Sequence, residues 1–286
     1  MTARLPRFGL GGLPIGELWG PDADAQAVAT IDTAYGAGIR FFDTAPDYGA
    51  GQSEQRFGMA LAKYSRAQYM LSTKVGGTGS HQVDFSEDGI RRSLAESLER
   101  LALESVDLVF IRDSGEHWQQ AIDKAYPVLH ELREQGEIGA VGVAMDDLPS
   151  LDRFVRDTEV DVVLLAGQYS LLDQSGMPLL DLCQARGVAA IVSGVLTPQV
   201  LQTDEYPEPT DEVSIRASQI AAICERYGVS LPQAALDFPG RHPAVTSVLI
   251  GAASAAEIRA DAALVRKPVP ADLWRDSELH KLAEFR

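Results

Sequence analysis

An acid, a phenol and an amine follow two successive apolar segments of the sequence, and together they could carry out proton transfer. Asp43 ends the apolar run that begins at Ile39, and Tyr48 comes five residues later in a Gly- and Pro-rich loop. Lys74 ends the next apolar run and precedes two glycines. A free phenol has a pKa of about 10 and is a poor base at neutral pH unless a nearby cation stabilises its phenolate. Lys74 could supply that cation, and Asp43 could hold Lys74 charged and oriented.

These residues are distant in sequence and would meet only in a suitable fold. In a parallel α/β protein, the loops that follow the strands gather at one face of the sheet. Taken singly, each residue also has a plain structural role: Asp43 as the cap of a turn, Tyr48 as a half-buried loop aromatic, and Lys74 as a solvated cation. It is their arrangement that favours an active site.

The same segments resemble the aldo-keto reductases, in particular a branch of bacterial sugar and pyridoxal dehydrogenases. Residues 42–58, FDTAPDYGAGQSEQRFG, are similar to the family signature FDTAPxYGxGxSExxxG, and residues 72–76, STKVG, are similar to its catalytic-lysine strand. The likeness extends from FGLGG at 8–12 to LIG at 249–251. The resemblance implies a (β/α)8 barrel, an extended nicotinamide cofactor and a catalytic tetrad of Asp, Tyr, Lys and His.

Arg112 occupies the position at which this family has its tetrad histidine. An arginine has five donors and effectively no neutral form, so it cannot relay a proton as a histidine can. Three roles stay open for Arg112. It could be a second cation beside Tyr48 that favours the phenolate and hence oxidation, or a clamp for a substrate carboxylate or phosphate. It could also form an ion pair with Asp113 or Glu116 outside the pocket.

Three residues are predicted to belong to the substrate pocket. His117 and Trp118 match a family segment that follows the fourth strand, so the alignment does not slip at Arg112. The resemblance makes His117 a loop or substrate-pocket residue and not a relocated catalytic histidine. Trp19 is the third predicted pocket residue.

The resemblance also assigns residues at the ends of later strands to the cofactor. Asp146 and Gln168 are placed near the nicotinamide carboxamide, although Asp146 differs from the usual Asn. Tyr169 is placed against the nicotinamide face, where a flat aromatic ring can stack. An alternative is that Gln168 and Tyr169 only fill the mouth of the barrel. The segment 193–197 is placed around the pyrophosphate, and its predicted contacts are Ser193, Gly194 and Leu196.

The segment after the last predicted strand is the candidate site for the adenosine half of the cofactor. Ser254 fits an N-cap with Glu257 three residues later, and the free N–H groups of a helix start suit a phosphate or ribose. Relatives that prefer the phosphorylated cofactor have a cation here, whereas this chain has Ala253 and Glu257, so the resemblance implies NAD(H) in preference to NADP(H). Asp261 replaces the usual adenine-contacting Asn and can still accept a hydrogen bond. The predicted contacts are Gly251, Ala252, Ser254, Glu257 and Asp261.

Alternating strands and helices must position these residues. Predicted strands cover 7–15, 39–43, 69–74, 106–111, 140–144, 162–166, 188–192 and 245–250. Predicted helices cover 23–37, 53–64, 86–103 and 118–135, and another begins at Ser254; a long loop is predicted at 197–211. This count favours a closed (β/α)8 TIM barrel, an α/β fold, as one domain over residues 1–286, although the pattern leaves an open doubly wound sheet as an alternative.

Composition and charge limit the partners. The net charge of −16 over 286 residues argues against nucleic acid or an anionic membrane, because both demand clustered Lys and Arg. No apolar signal core follows MTARLPR and no run of 18 apolar residues occurs, so a cytoplasmic protein is expected. Cys183 and Cys224 have no paired spacing, so buried free thiols are predicted, and no metal site is predicted.

The sequence therefore predicts an NAD(P)-dependent oxidoreductase acting on a small-molecule carbonyl, alcohol or sugar. It would interconvert a carbonyl and an alcohol, or oxidise a sugar lactol, with Tyr48 as proton donor and acceptor. Two alternatives stay open: a nucleotide-binding regulatory protein, which the absent tetrad histidine favours, and a non-redox isomerase or lyase that uses Tyr48 as acid or base. The presence of Asp43, Tyr48 and Lys74 together argues against complete loss of catalysis.

Overall fold

Eight parallel strands close into a barrel in sequence order, and helices connect them. The computed structural model describes residues 5–77, 83–113, 115–201 and 211–283. The strands are β1 (Phe8–Gly11), β2 (Phe41–Asp43), β3 (Met70–Gly76), β4 (Val106–Asp113), β5 (Ile138–Met145), β6 (Val162–Ala166), β7 (Ala189–Ser193) and β8 (Val245–Gly251). Because β8 pairs with β1, the sheet has no open edge, and the predicted (β/α)8 barrel is confirmed.

The helices surround the barrel. They are α1 (Leu13–Gly16), α2 (Ala23–Gly36), α3 (Gln52–Leu61), α4 (Glu87–Leu101), α5 (Trp118–Gln120), α6 (Tyr126–Gln135), α7 (Leu148–Asp157), α8 (Met177–Arg186), α9 (Pro198–Leu201), α10 (Glu212–Arg226), α11 (Leu231–Asp237), α12 (Ala255–Val265) and α13 (Ser277–Leu282). Shorter 3₁₀ segments cover Arg66–Gln68, Phe238–Arg241 and Leu273–Arg275, and a π-helical stretch covers Ala121–Ala125. Among the described residues, no helix is long and apolar enough to cross a membrane.

Two apolar clusters show which strand residues face inward. Side chains alternate along a strand, and one set fills the barrel while the other packs against the helices. The interior set includes Phe41 of β2, Phe110 of β4, Ala144 of β5 and Leu249 of β8. Asp43 lies two residues beyond Phe41 on the same strand, so the alternation places it in the barrel at the carboxyl end.

Some predicted bounds of strands and helices were wrong. Strand β1 was predicted to reach Ile15 but ends at Gly11, and α1 follows with Pro14 in its first turn. Proline has no N–H for a strand ladder but suits the first turn of a helix. Strand β4 extends to Asp113, so Arg112 lies within the strand. The predicted helix 118–135 is interrupted by the π-helical stretch.

Other local predictions were confirmed. The side chain of Ser254 accepts a hydrogen bond from the backbone N–H of Glu257 at the start of α12. Cys183 and Cys224 are free and buried. Of the predicted loop 197–211, residues 198–201 form α9, and residues 202–210 lie outside the described residues.

Candidate active site

A buried ion pair between Asp43 and Lys74 lies at the centre of the site. Lys74 Nζ donates to the two Asp43 carboxylate oxygens at 2.9 Å and 2.7 Å and to the Thr44 carbonyl at 2.8 Å. The Ser72 hydroxyl donates to Asp43 Oδ1 at 2.7 Å. Both charged side chains are only 3% exposed. Since a buried charge is tolerated only when it is paired and hydrogen-bonded, these contacts explain how the barrel interior holds both groups.

The surroundings of Lys74 keep it protonated. Burial is the largest influence and lowers the pKa of Lys74, but Asp43 and Tyr48 raise it, so that the pKa lies above its ordinary value of 10.5. The Arg112 guanidinium opposes this increase because it is a second cation nearby. Lys74 is therefore a fixed positive charge at neutral pH.

Tyr48 lies against both cations. Lys74 Nζ is 4.8 Å from the centroid of the Tyr48 ring, and Arg112 Cζ is 5.3 Å from it. The ring is half-buried and lines the same cavity as Asp43 and Lys74. Positive charge beside a phenol favours its phenolate, so this arrangement suits Tyr48 for exchanging a proton.

The loop that carries Tyr48 is fixed against the start of the chain. Ser53 Oγ donates to the Gly12 carbonyl at 2.9 Å and accepts from Thr44 Oγ1 at 2.8 Å. Gly49 has a φ of 62°, and a Cβ at this position would collide with the carbonyl of Gly16. Glycine is therefore required next to Tyr48, both for the backbone conformation and for the close approach to α1.

Arg112 forms an ion pair with Asp47, the residue before Tyr48. Arg112 Nη1 is 3.1 Å and 3.0 Å from the two carboxylate oxygens of Asp47, and both side chains are 23% exposed. The predicted alternative, a pair with Asp113 or Glu116 outside the pocket, is wrong. Asp113 is 1% exposed and instead accepts from the backbone N–H and Nδ1 of His117, at 2.8 Å and 3.1 Å.

A cavity of about 460 Å³ opens at the carboxyl ends of the strands. It brings together predicted residues from β2, β3, β4 and the ends of β5, β7 and β8. The predicted residues that line it are Asp43, Tyr48, Lys74, Arg112, Asp146, Ser193, Gly194, Leu196 and Gly251. Leu13 and Pro14 of α1 also line it and were not predicted.

Gln168 and Tyr169, which follow β6, occupy different environments. Gln168 Nε2 donates to the backbone carbonyl of Asp146 at 2.9 Å. Within the described residues, Gln168 Oε1 is buried without a hydrogen-bond partner. Tyr169 is 2% exposed, and its ring packs 5.1 Å from that of Phe238 and 6.0 Å from that of His242. Burial raises the pKa of Tyr169 to about 12.

The prediction that Tyr169 stacks on a nicotinamide is therefore wrong. Tyr169 is absent from the lining of the 460 Å³ cavity, and its ring packs in the cluster that contains Phe238 of the 3₁₀ segment Phe238–Arg241. The alternative interpretation, that Tyr169 fills the mouth of the barrel, is also wrong, because its neighbours Phe238 and His242 lie outside the barrel interior.

The three predicted substrate-pocket residues do not line the 460 Å³ cavity. Trp19 is 89% exposed. His117 is held by Asp113. The ring of Trp118 lies under the Arg153 guanidinium, 4.4 Å from its Cζ. The structure therefore does not support these residues as walls of this cavity.

The start of α12 is arranged as a capping box and is tied to α2. The Glu257 carboxylate accepts from the Ala253 N–H at 3.0 Å and from the Ser254 hydroxyl at 2.8 Å. Gln26 Nε2 donates to the Ala253 carbonyl at 2.9 Å. Burial, and then the Glu257 charge, raise the pKa of Asp261 to about 6. Ala252 is 1% exposed and packs in the core. Ala252, Ser254, Glu257 and Asp261 do not line the 460 Å³ cavity.

Comparison with known proteins identifies the family. The model of the Aldo/keto reductase family matches residues 7–278, so the chain belongs to this family. It is 34% identical to a D-threo-aldose 1-dehydrogenase from Pseudomonas sp, over 99% of this chain and 94% of that protein. It is 33% identical to a pyridoxal 4-dehydrogenase from Microbacterium luteolum, over 93% of this chain and 91% of that protein.

A solved structure supports the fold. The holo form of an aldo-keto reductase from Bacillus halodurans superposes with a TM-score of 0.80 at 24% identity, covering 96% of this chain and 91% of that one. The family and the relatives together make this chain an oxidoreductase that interconverts carbonyl and alcohol groups.

Proposed function

We propose that the chain is a nicotinamide-dependent enzyme that exchanges the substrate proton through Tyr48. The single observation that carries this proposal is the buried Asp43–Lys74 pair, whose ammonium lies 4.8 Å from the centroid of the Tyr48 ring. In reduction Tyr48 donates its proton to the carbonyl oxygen, and in oxidation its phenolate accepts the proton of the alcohol. Lys74 stabilises the phenolate, and Asp43 holds Lys74 charged and in place.

Two buried polar atoms next to residues that line the cavity support a nicotinamide dinucleotide as its ligand. The unpartnered Gln168 Oε1 can accept from a carboxamide N–H, and the Thr197 hydroxyl, buried and unpartnered among the described residues, can donate to a phosphate oxygen. Gly194 has a φ of 73°, which allows the backbone to approach a ligand closely. When bound, the nicotinamide supplies or accepts a hydride. Asp146, Ser193, Gly194 and Leu196 would hold its inner half.

The start of α12 supports a preference for NAD(H). Glu257 is fixed by two hydrogen bonds beside the predicted position of the adenosine ribose. Its negative charge would repel a 2′-phosphate and could accept from a 2′-hydroxyl. Gly251, Ala252, Ser254 and Asp261 complete this proposed segment.

The substrate is a small carbonyl compound, alcohol or sugar. Two relatives are dehydrogenases of an aldose and of pyridoxal, which supports oxidation as one direction of the reaction. The test is the absorbance of reduced nicotinamide with purified protein, NAD(H) and NADP(H), and a panel of aldoses, alcohols, aldehydes and keto acids. Turnover with none of them would refute the proposed function.

A further inference from the structure

Asp47, which was not among the predicted site residues, compensates the charge of Arg112. Asp47 contacts Arg112 through both carboxylate oxygens, and both contacts go to the same nitrogen, Nη1. In the part of the chain that the structure describes, Arg112 Nε and Nη2 donate no hydrogen bond. Within the described residues, two of the three guanidinium nitrogens are therefore available to a ligand, while Asp47 balances the charge of the group.

The pair lies between two cavities. Arg112 and Lys74 line the 460 Å³ cavity and also a second cavity of about 330 Å³. Asp47 lines the second cavity, which continues past Gly76 towards Arg92 and Arg100 of α4. A substrate that reacts beside Tyr48 and extends into the second cavity must therefore pass the Asp47–Arg112 pair.

Among the described residues, the charged side chains around Tyr48 include two ion pairs and one further carboxylate. Asp43, at the end of β2, pairs with Lys74. Asp47, in the loop that carries Tyr48, pairs with Arg112. Asp146, at the end of β5, lines the same cavity. Arg112 is the less buried of the two cations and could meet a substrate anion at the mouth, but the carboxylate of Asp47 already balances its charge and holds Nη1.

We infer that Asp47 is a specificity-determining and positioning residue that makes the site select neutral substrates. It competes with a substrate carboxylate for Arg112 and orients the guanidinium so that its remaining N–H groups can donate to a neutral carbonyl or hydroxyl oxygen. This inference rests on the proposed function, and it decides against the carboxylate or phosphate clamp that the sequence left open for Arg112.

The test compares butyraldehyde with succinic semialdehyde, which adds a carboxylate to a similar chain. The wild-type enzyme should prefer butyraldehyde. In Asp47→Asn no carboxylate compensates Arg112, so Arg112 can bind the carboxylate of succinic semialdehyde. The ratio of kcat/KM for succinic semialdehyde to kcat/KM for butyraldehyde should then rise by about tenfold, which is the effect expected of one charge-assisted hydrogen bond. Asp47→Glu should keep the wild-type ratio, and Asp47→Asn/Arg112→Gln should lose the gain. An unchanged ratio in Asp47→Asn, or a gain that survives without Arg112, overturns the inference.

A second measurement does not depend on turnover. Asp47→Asn removes the negative charge that balances Arg112, so the net charge beside Tyr48 becomes more positive. The phenolate of Tyr48 should therefore form at lower pH than in the wild type. The Tyr48 signal is isolated as the difference in ultraviolet phenolate absorbance from the matched Tyr48→Phe protein. An unshifted titration overturns the role of Asp47. Inactivity of the wild type towards every carbonyl would defeat the proposed function, while this titration would still test Asp47.

Discussion

Replacing Asp43 with asparagine removes one charge of the buried pair and leaves the other inside the barrel. Lys74 is 3% exposed, and Asp43 accepts two of its three hydrogen bonds. Removing one partner of such a pair costs about 3–5 kcal/mol, because the remaining buried charge is uncompensated. Asp43→Asn should therefore lower the free energy of unfolding at pH 7 by about that amount.

The sign of the pH dependence follows from the pKa of Lys74. In the wild type this pKa is raised above 10.5, so the pair's contribution to stability is present below 10.5 and is lost as the pH rises through the higher folded-state pKa. Without Asp43, burial dominates and lowers the pKa of Lys74 below 10.5, so the variant gains stability as the pH rises from neutrality towards 10.5. The stability difference between variant and wild type should therefore shrink over this range.

Urea unfolding of both proteins at several pH values measures this difference. Asp43→Asn/Lys74→Met is the matched control, because it removes both charges and should recover much of the lost stability. A destabilisation well below 1 kcal/mol at pH 7, or one that grows with pH, would refute the buried ion pair as described.

Two further predictions concern Glu257 and Arg112. Glu257→Arg should shift the cofactor preference towards NADP(H), because a charge-assisted contact with the 2′-phosphate replaces the repulsion by Glu257. Dissociation constants for NAD(H) and NADP(H) measure this shift. An unchanged ratio of the two constants would show that this helix start does not bind the ribose. Arg112→His should change the balance of oxidation against reduction, or the preference for substrate charge. It should change the free energy of unfolding by only about 1 kcal/mol or less, because the Asp47–Arg112 pair is partly exposed. Rates in both directions across pH, with neutral and acidic substrates, check this, and identical profiles would remove Arg112 from the site.

The sequence was sufficient where the signal was local or periodic. Alternating apolar segments predicted eight strands, and the carboxyl-end rule predicted that Asp43, Tyr48 and Lys74 meet. The capping box at Ser254 was predictable because its residues are three positions apart.

Contacts between distant segments were not predictable. Asp47 lies 65 residues before Arg112, whereas Asp113 and Glu116 are close to it in sequence and were therefore the expected partners. The packing of Tyr169 depends on Phe238 and His242, which lie about 70 residues later in the sequence. The sequence did show a carboxylate, Asp47, directly before Tyr48, which could have suggested a role in the site. Its partner, Arg112, could be identified only from the fold.

The measurement that tests the central claim most directly is nicotinamide turnover by Tyr48→Phe alongside cofactor binding. The variant should lose activity on the order of 10²-fold or more, because it cannot exchange the substrate proton. Its affinity for NAD(H) should stay within a few-fold of the wild type, since the phenol acts on the proton and not mainly on the nucleotide. A Tyr48→Phe protein that turns over the wild-type substrate at a comparable rate would contradict the role assigned to Tyr48.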